Sequence, residues 1–210
     1  TTDYFLLSLD RMNSLRNASI SDKTLTVEAG MILSDVHNQA KRINRMFPLS
    51  LASEGTCQIG GNLATNAGGI NVIKFGSARS LCSGVEAVLA DGKIYNGLSS
   101  LIKDNTGYDL RNLLIGSEGT LGIITAATLK TVPIPDETIV AIAKIRSPTD
   151  AVFLLHELEK EIYDQVYAFE LINQKGLEFL KRGGFNYKEP FATPSEWMVL
   201  IEVSGAKSLG

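Results

Sequence analysis

Between Glu54 and Gly69 the chain reads EGTCQIGGNLATNAGG, with five glycines, two asparagines and two threonines, and with Ile59 and Leu63 as its sizeable aliphatics. A stretch of this kind cannot fill a core, because glycine buries no side chain and loses the most conformational freedom on folding. It can bring backbone N–H groups close to a ligand, with small polar side chains beside them. Diphosphate groups are held in this way, so the residues point to a dinucleotide-type cofactor.

Common dinucleotide folds are excluded by spacing. The nearest approach to Gly-x-Gly-x-x-Gly is Gly116-Ser117-Glu118-Gly119-Thr120-Leu121-Gly122, which has the wrong spacing and runs into a strand pattern, not a helix. The Gly92-Lys93 pair continues into Ile94-Tyr95 of a hairpin, so there is no Walker loop. The 210-residue chain has 44% hydrophobic and 20% charged residues and a net charge of −3, with no basic stripe. Those values suit a globular protein and argue against a nucleic-acid partner. No apolar run reaches the roughly 20 residues of a membrane span. Cys57 and Cys82 are the two cysteines and read as free thiols in a reducing compartment, Cys57 as a small packing residue. With just His37 and His156, a histidine-based metal site or triad has little to draw on, and His37 reads as a surface or half-buried residue.

Periodicity divides the chain at Pro133 and Pro135. Before them, strands are expected at Phe5 to Leu9, Leu25 to Ala29, Gly84 to Ala90, Ile94 to Tyr95 and Gly122 to Val132. A helix is expected from Met31 to Met46, where Val36, Ala40, Ile43 and Phe47 recur at helical spacing, and a short one from Tyr108 to Leu114. Asp91-Gly92 signals a two-residue hairpin. Beyond the prolines the order is strand (Thr138 to Ile145), helix (Ala151 to Tyr163), strand (Val166 to Leu171), helix (Gln174 to Lys181) and strand (Trp197 to Val203). That order suggests a ferredoxin-like layer. Overall the chain is expected to be α+β, with one domain over 1–135 and the start of a second over 136–210.

The motifs EGTCQIGGNLATNAGGIN, KFGSARSLCSGVEAVLADGKIYNG and TGYDLRNLLIGSEGTLGIITAATL, in this order, resemble the FAD-linked oxidases of the vanillyl-alcohol-oxidase type. Within them the D-2-hydroxyacid dehydrogenases are most similar: D-lactate and D-2-hydroxyglutarate dehydrogenase and the flavin subunit of glycolate oxidase. The resemblance runs from about Phe5 to Pro133. It implies that residues 1–135 are the second part of an FAD-binding domain, whose first glycine loop would precede Thr1, and that 136–210 open the cap, or substrate, domain. The chain thus reads as an internal fragment.

The resemblance also implies non-covalent FAD, with cofactor contacts from Ser53, Glu54, Gly55, Cys57, Gln58, Ile59, Gly60, Gly61, Asn62, Thr65, Asn66, Gly68, Gly69 and Ile123. Gly60 and Gly61 would admit phosphate oxygens, Thr65 and Asn66 would donate from their side chains, and Gly68 and Gly69 would turn the chain around the flavin. Ile123 matches a position that meets the adenosine half. The implied reaction oxidises a D-2-hydroxy acid to the 2-oxo acid by hydride transfer to flavin N5. An electron acceptor (quinone, cytochrome or flavoprotein) and a cytoplasmic, organelle-matrix or peripheral membrane location are implied too. The family's substrate arginine, divalent-metal ligands and catalytic histidine match nothing in this sequence, so the catalytic residues are expected C-terminal to Gly210. A same-fold flavoprotein with another substrate, or a non-catalytic flavin-binding subunit, remains an alternative. Glu118 is expected to cap or to pair with Arg111, and Arg79 to bond loop carbonyls.

Overall fold

The computed structural model describes residues 6–205. In chain order its elements begin with β1 (Leu15–Ser19), β2 (Thr24–Glu28), α1 (Leu33–Arg42), β3 (Arg45–Met46), α2 (Ile59–Ala64) and α3 (Val72–Phe75). They continue with β4 (Cys82–Leu89), β5 (Ile94–Asn96), α4 (Leu110–Leu114), β6 (Gly122–Lys130) and β7 (Val132–Pro133). The last are β8 (Glu137–Ile145), α5 (Pro148–Ile162), β9 (Val166–Asn173), α6 (Gln174–Arg182) and β10 (Trp197–Gly205). Two compact units result, one holding the residues up to Gly69 together with Phe75–Ile134, the other Ile70–Lys74 together with the residues from Pro135 onward.

In the first unit a five-stranded antiparallel sheet has the order β1-β2-β6-β4-β5. Strand alternation sets its faces. Leu25 and Val27 of β2 enter the core with Val85, Leu129, Val36 of α1 and Ile59 and Leu63 of α2. The opposite face carries polar pairs: Thr26 Oγ1 lies 3.1 Å from Thr128 Oγ1, and Arg16 reaches both Glu28 and Glu86. The Ser14 backbone N–H and the Arg16 guanidinium hold the Glu28 carboxyl below its ordinary range, against a smaller opposing effect of burial.

Helix α1 begins where a neighbouring turn supplies acceptors: Leu33 N donates to Cys57 O and Ser34 N to Glu54 O, which satisfies donors a helix start leaves open. Asp35 in its first turn and Lys41 and Arg42 in its last complement the helix dipole. It is shorter than the periodicity predicts. Asn44 takes a left-handed φ of +56°, the chain reverses, and Arg45–Met46 pairs with Val132–Pro133 while Arg45 bonds Thr131.

Two further expectations need correction. Phe5 lies outside the described residues, and residues 6–9 have no regular structure, so the first strand is β1. The Leu9 carbonyl passes over Gly30, where a Cβ would sit 1.9 Å from it. The glycine stretch is not a plain loop either, since residues 59–64 form α2. At the other end Gly210, after which the catalytic residues are expected, lies outside the described residues as Phe5 does.

In the second unit the three strands lie in the order β8-β10-β9. β10 is antiparallel to both neighbours, so β8 and β9 run parallel with a strand between them. That is the split β-α-β arrangement of ferredoxin-like folds. Ala151 of α5 packs with Val199 and Ile201, and Ser147 caps α5 by accepting from Asp150 N.

Candidate functional site

A groove of about 230 Å³ opens in the first unit between the start of α2 and the start of β6. Gly60, Gly61 and Ala64 form one wall, Glu118, Gly119, Gly122 and Ile123 the other, and Leu7 and Leu9 close an end. Backbone bonds set the distance between the walls. Gly116 N donates to Leu63 O at 3.0 Å and Glu118 N to Ala64 O at 2.9 Å, so the turn 116–119 hangs from the carbonyls of α2. This turn needs left-handed backbone at three positions, with φ of +81° at Gly116, +51° at Glu118 and +78° at Gly119.

Adjacent glycines in α2 serve different ends. The Gly60 amide donates to Ala29 O at 2.7 Å, and a Cβ there would lie 2.8 Å from Ala29 Cβ. Gly60 is therefore a packing glycine, and the expectation that its backbone offers an amide to phosphate is corrected. Gly61 faces the other way: a Cβ there meets nothing within 4 Å. Its amide has no acceptor among the described backbone bonds.

Of the residues singled out from the sequence, the groove gathers Gly60, Gly61 and Ile123. Ser53, Glu54, Gly55, Cys57 and Gln58 lie outside it, in the turn against α1. There Ser53 O accepts from Thr56 N and Cys57 N, and Gln58 Nε2 donates to Asp10 at 2.6 Å. Ile59 and Asn62 are buried, and the Asn62 amide donates to Cys57 Sγ. Thr65 donates its hydroxyl proton to Gly61 O at 2.9 Å, and Asn66 Oδ1 accepts from Ser77 Oγ and Arg79 N. The Thr65 hydroxyl proton is therefore taken, which corrects the role expected of Thr65; at Asn66 only the carbonyl oxygen is engaged, and its side-chain N–H groups remain able to donate. Gly68 and Gly69 follow α2; at Gly69 φ is +110° and a Cβ would lie 2.1 Å from Ser50 O.

Glu118, Gly119, Gly122, Ala64 and the leucines are groove residues that sequence reasoning did not assign. The signal for the first three is the Gly-x-x-Gly-x-x-Gly run of residues 116–122, a spacing that does not fit the Rossmann pattern and suits a tight turn into a strand. Glu118 does not pair with Arg111, contrary to expectation. Arg111 pairs with Asp109 at 2.5 Å and donates to the carbonyls of Cys82 and Ser83, so its guanidinium is turned toward β4. Glu118 is instead the acidic side chain of the groove. Arg79 does bond carbonyls, those of Asn112 and Ile115. His37 is half-buried, its Nε2 2.8 Å from Leu49 O. A larger polar hollow of about 450 Å³ beneath residues 95–109 contains none of the residues of 54–69.

The groove suits part of a dinucleotide. It has an amide at Gly61 with no acceptor among the described backbone bonds, an open face at Gly61 that permits close backbone approach, an apolar edge at Ile123 and a carboxylate able to accept from hydroxyls. At about 230 Å³ it is smaller than the roughly 300–1,000 Å³ of a typical small-molecule pocket, so the groove alone covers only a portion of such a ligand.

Residues 1–97 match the family model described as an FAD binding domain. A D-2-hydroxyglutarate dehydrogenase of Xanthomonas citri pv. viticola is 38% identical over 198 residues, 94% of this chain and 41% of that protein. The mitochondrial D-2-hydroxyglutarate dehydrogenase of Rattus norvegicus is 35% identical, over 98% of this chain and 38% of its own length. A D-2-hydroxyglutarate–pyruvate transhydrogenase of Saccharomyces cerevisiae is 34% identical, over 97% and 41%. The chain thus spans about two fifths of the length of these relatives. Among solved structures, an alkyldihydroxyacetonephosphate synthase superposes with a TM-score of 0.72 at 18% identity, covering 94% of this chain and 38% of that one. At that identity the likeness speaks for the fold, the mixed α+β architecture of an FAD-binding domain.

Proposed function

We propose that this chain belongs to the FAD-linked oxidases through its FAD binding domain, and that it is the cofactor-binding part of an enzyme that oxidises a D-2-hydroxy acid to the 2-oxo acid. The observation that carries the proposal is the groove itself, with the open Gly61 face set against Gly119 and Ile123. Bound FAD would supply the two-electron acceptor that no amino-acid side chain provides. The chain's own residues bind and orient: Gly61 offers an amide, Ile123 an apolar surface and Glu118 a hydroxyl acceptor, while Gly60 and Gly69 keep the walls in place. In this reading residues 1–135 are the FAD-binding domain and 136–210 the opening of the cap domain.

D-2-hydroxyglutarate is the proposed substrate, because relatives from three kingdoms of life carry its name. D-lactate and glycolate share the 2-hydroxycarboxylate group. FAD is held without a covalent bond in this proposal, since neither cysteine and neither histidine lines the groove. Substrate-carboxylate and metal ligands would come from beyond the described residues, among which no group of three or more His, Cys, Asp or Glu could hold a metal. The proposal places the catalytic groups there too, C-terminal to Gly210. No helix among the described residues is long and apolar enough to cross a membrane. Cytoplasm or an organelle matrix is the proposed location, with a quinone, cytochrome or flavoprotein taking the electrons.

Acid precipitation of the full-length gene product should leave flavin in the supernatant. A dye-linked assay should then show D-2-hydroxyglutarate oxidised faster than D-lactate or glycolate. A purified protein without flavin absorption bands would overturn the cofactor reading. Flavin present with no turnover of any of the three acids would overturn the substrate class and leave a flavin-binding subunit.

A further inference from the structure

Arg79 lines no part of the groove, yet it holds the elements that do. Its Nη2 donates to Ile115 O at 2.6 Å and its Nη1 to the Asn112 carbonyl, so one planar fork takes the C-terminal carbonyls of α4 immediately before Gly116. Those acceptors would otherwise be left over at a helix end. The Arg79 backbone N–H donates to Asn66 Oδ1 at 3.0 Å, and the Asn66 side chain also accepts from Ser77. Asn66 stands in the left-handed region at φ +49°, directly after α2. Arg79 therefore joins the end of one groove wall to the start of the other. No ion pair to Arg79 occurs among the described residues, so its charge is met by carbonyl oxygens. Gly116 closes over the guanidinium, and a Cβ at that position would lie 2.8 Å from Nη2.

Resting on the proposed cofactor site, we infer that Arg79 is the positioning residue of the FAD groove: it fixes the turn 116–119 against α2, and so fixes Glu118, Gly119 and Ile123 relative to Gly61. Lysine cannot replace it, because a single ammonium does not span two carbonyls as a guanidinium fork does. Removing the fork loosens the turn, which then hangs from α2 by the Gly116 and Glu118 backbone bonds alone, while the sheet, whose core excludes Arg79, stays formed.

The test uses the full-length protein stripped of flavin and titrated with FAD, following flavin fluorescence, alongside circular dichroism of the apoprotein. Arg79→Ala should remain folded and bind FAD about ten- to a hundredfold more weakly, because binding must then order a turn that the fork no longer holds. Arg79→Lys should fall between Arg79→Ala and the wild type, which keeps the test open should the alanine variant not fold. Added ethylguanidinium should recover FAD affinity in Arg79→Ala, a rescue that a general loss of stability does not give. Wild-type affinity in the folded variants, or weakened binding that ethylguanidinium leaves unchanged, overturns the inference alone. A wild-type protein that binds no FAD overturns the proposed function and this inference with it.

Discussion

Gly60 and Gly61 are neighbours in one short helix, and alanine at each should have opposite consequences. Alanine is favoured over glycine in a helix interior by about 0.8–1.0 kcal/mol, and both substitutions gain this. At Gly61 nothing stands within 4 Å of the new Cβ, so the gain is kept and Gly61→Ala should be neutral to about 1 kcal/mol more stable. At Gly60 the new Cβ would be 2.8 Å from Ala29 Cβ and 3.1 Å from Ala29 O. Ala29 is fully buried and its Cβ cannot rotate away, so the backbone must shift. Overpacking of that kind costs about 1–3 kcal/mol, and at its upper end leaves Gly60→Ala about 1–2 kcal/mol less stable after the helical gain. A third variant separates stability from function. The larger side chain of Gly61→Leu points into the groove without touching the core, so it should keep the urea midpoint near wild type while abolishing most FAD binding. The assays are urea unfolding and FAD titration of the full-length protein. Gly60→Ala matching Gly61→Ala in stability would refute the packing assignment. Wild-type FAD affinity in Gly61→Leu would move the cofactor elsewhere.

Gly69→Ala should be among the most damaging single-methyl additions in the chain, because φ is +110° and the Cβ would meet Ser50 O at 2.1 Å; a fall in thermal midpoint exceeding that of Gly60→Ala checks it. Cys82 is fully buried, and burial pushes its thiol up to about 11, so iodoacetamide at pH 8 should label Cys57 in the native protein and both cysteines in denaturant, as read by mass spectrometry. The raised thiol value also has a pH consequence: its stabilising contribution is full below the ordinary cysteine range and is lost as pH rises through about 11, so Cys82→Ser should flatten the alkaline end of the stability curve. Asp109 caps α4 by accepting from Asn112 N and pairs with Arg111, so Asp109→Ala should cost about 1–2 kcal/mol in urea unfolding. Burial works to raise the Asp109 carboxyl, but the Arg111 and Asn112 donors outweigh it and hold it low. That contribution is present above the ordinary aspartate range and lost as pH falls through the lowered value, and the mutant should lose the corresponding acid transition.

Elements with a local cause were legible in the sequence. The hairpin at Asp91-Gly92 is one, although its loop is three residues (90–92) and not the expected two, since Val88 pairs with Ile94 and Leu89 N donates to Lys93 O, with Gly92 at φ +80°. The long strand into β6 is another, since alternation of apolar residues and threonines suits a sheet with a packed face and a polar one. The failures have distant causes. Periodicity carried α1 on to Met46 because nothing local announces that Arg45 is drawn away to Thr131, 86 residues on. Composition alone assigns no helix to residues 59–64, where glycine is a poor helix former, but the bond from Gly60 to Ala29 and the buried Ile59 and Leu63 override propensity. Arg111 was given the wrong carboxylate for the same kind of reason. Its proximity to Glu118 in sequence says nothing of the turn that directs it to Asp109 and β4.

The site shows where composition stops being informative. A glycine-rich stretch announces that backbone must come close to something, without saying whether that is a ligand, a neighbouring strand or its own turn. Three glycines within ten residues answer the question in three ways: a Cβ would meet Ala29 at Gly60 and Ser50 O at Gly69, and at Gly61 it would meet no described residue within 4 Å. The first two are accounted for by the fold and would be glycine in a protein that bound no cofactor. Gly61 has no such account, since neither space nor backbone conformation demands it, and glycine there costs the helix stability that alanine would return. Glycine against local preference, on a wall of the groove and with no acceptor for its amide among the described backbone bonds, is what the proposed cofactor would explain. The case for a cofactor at this position therefore rests less on the number of glycines than on the one the protein itself does not need.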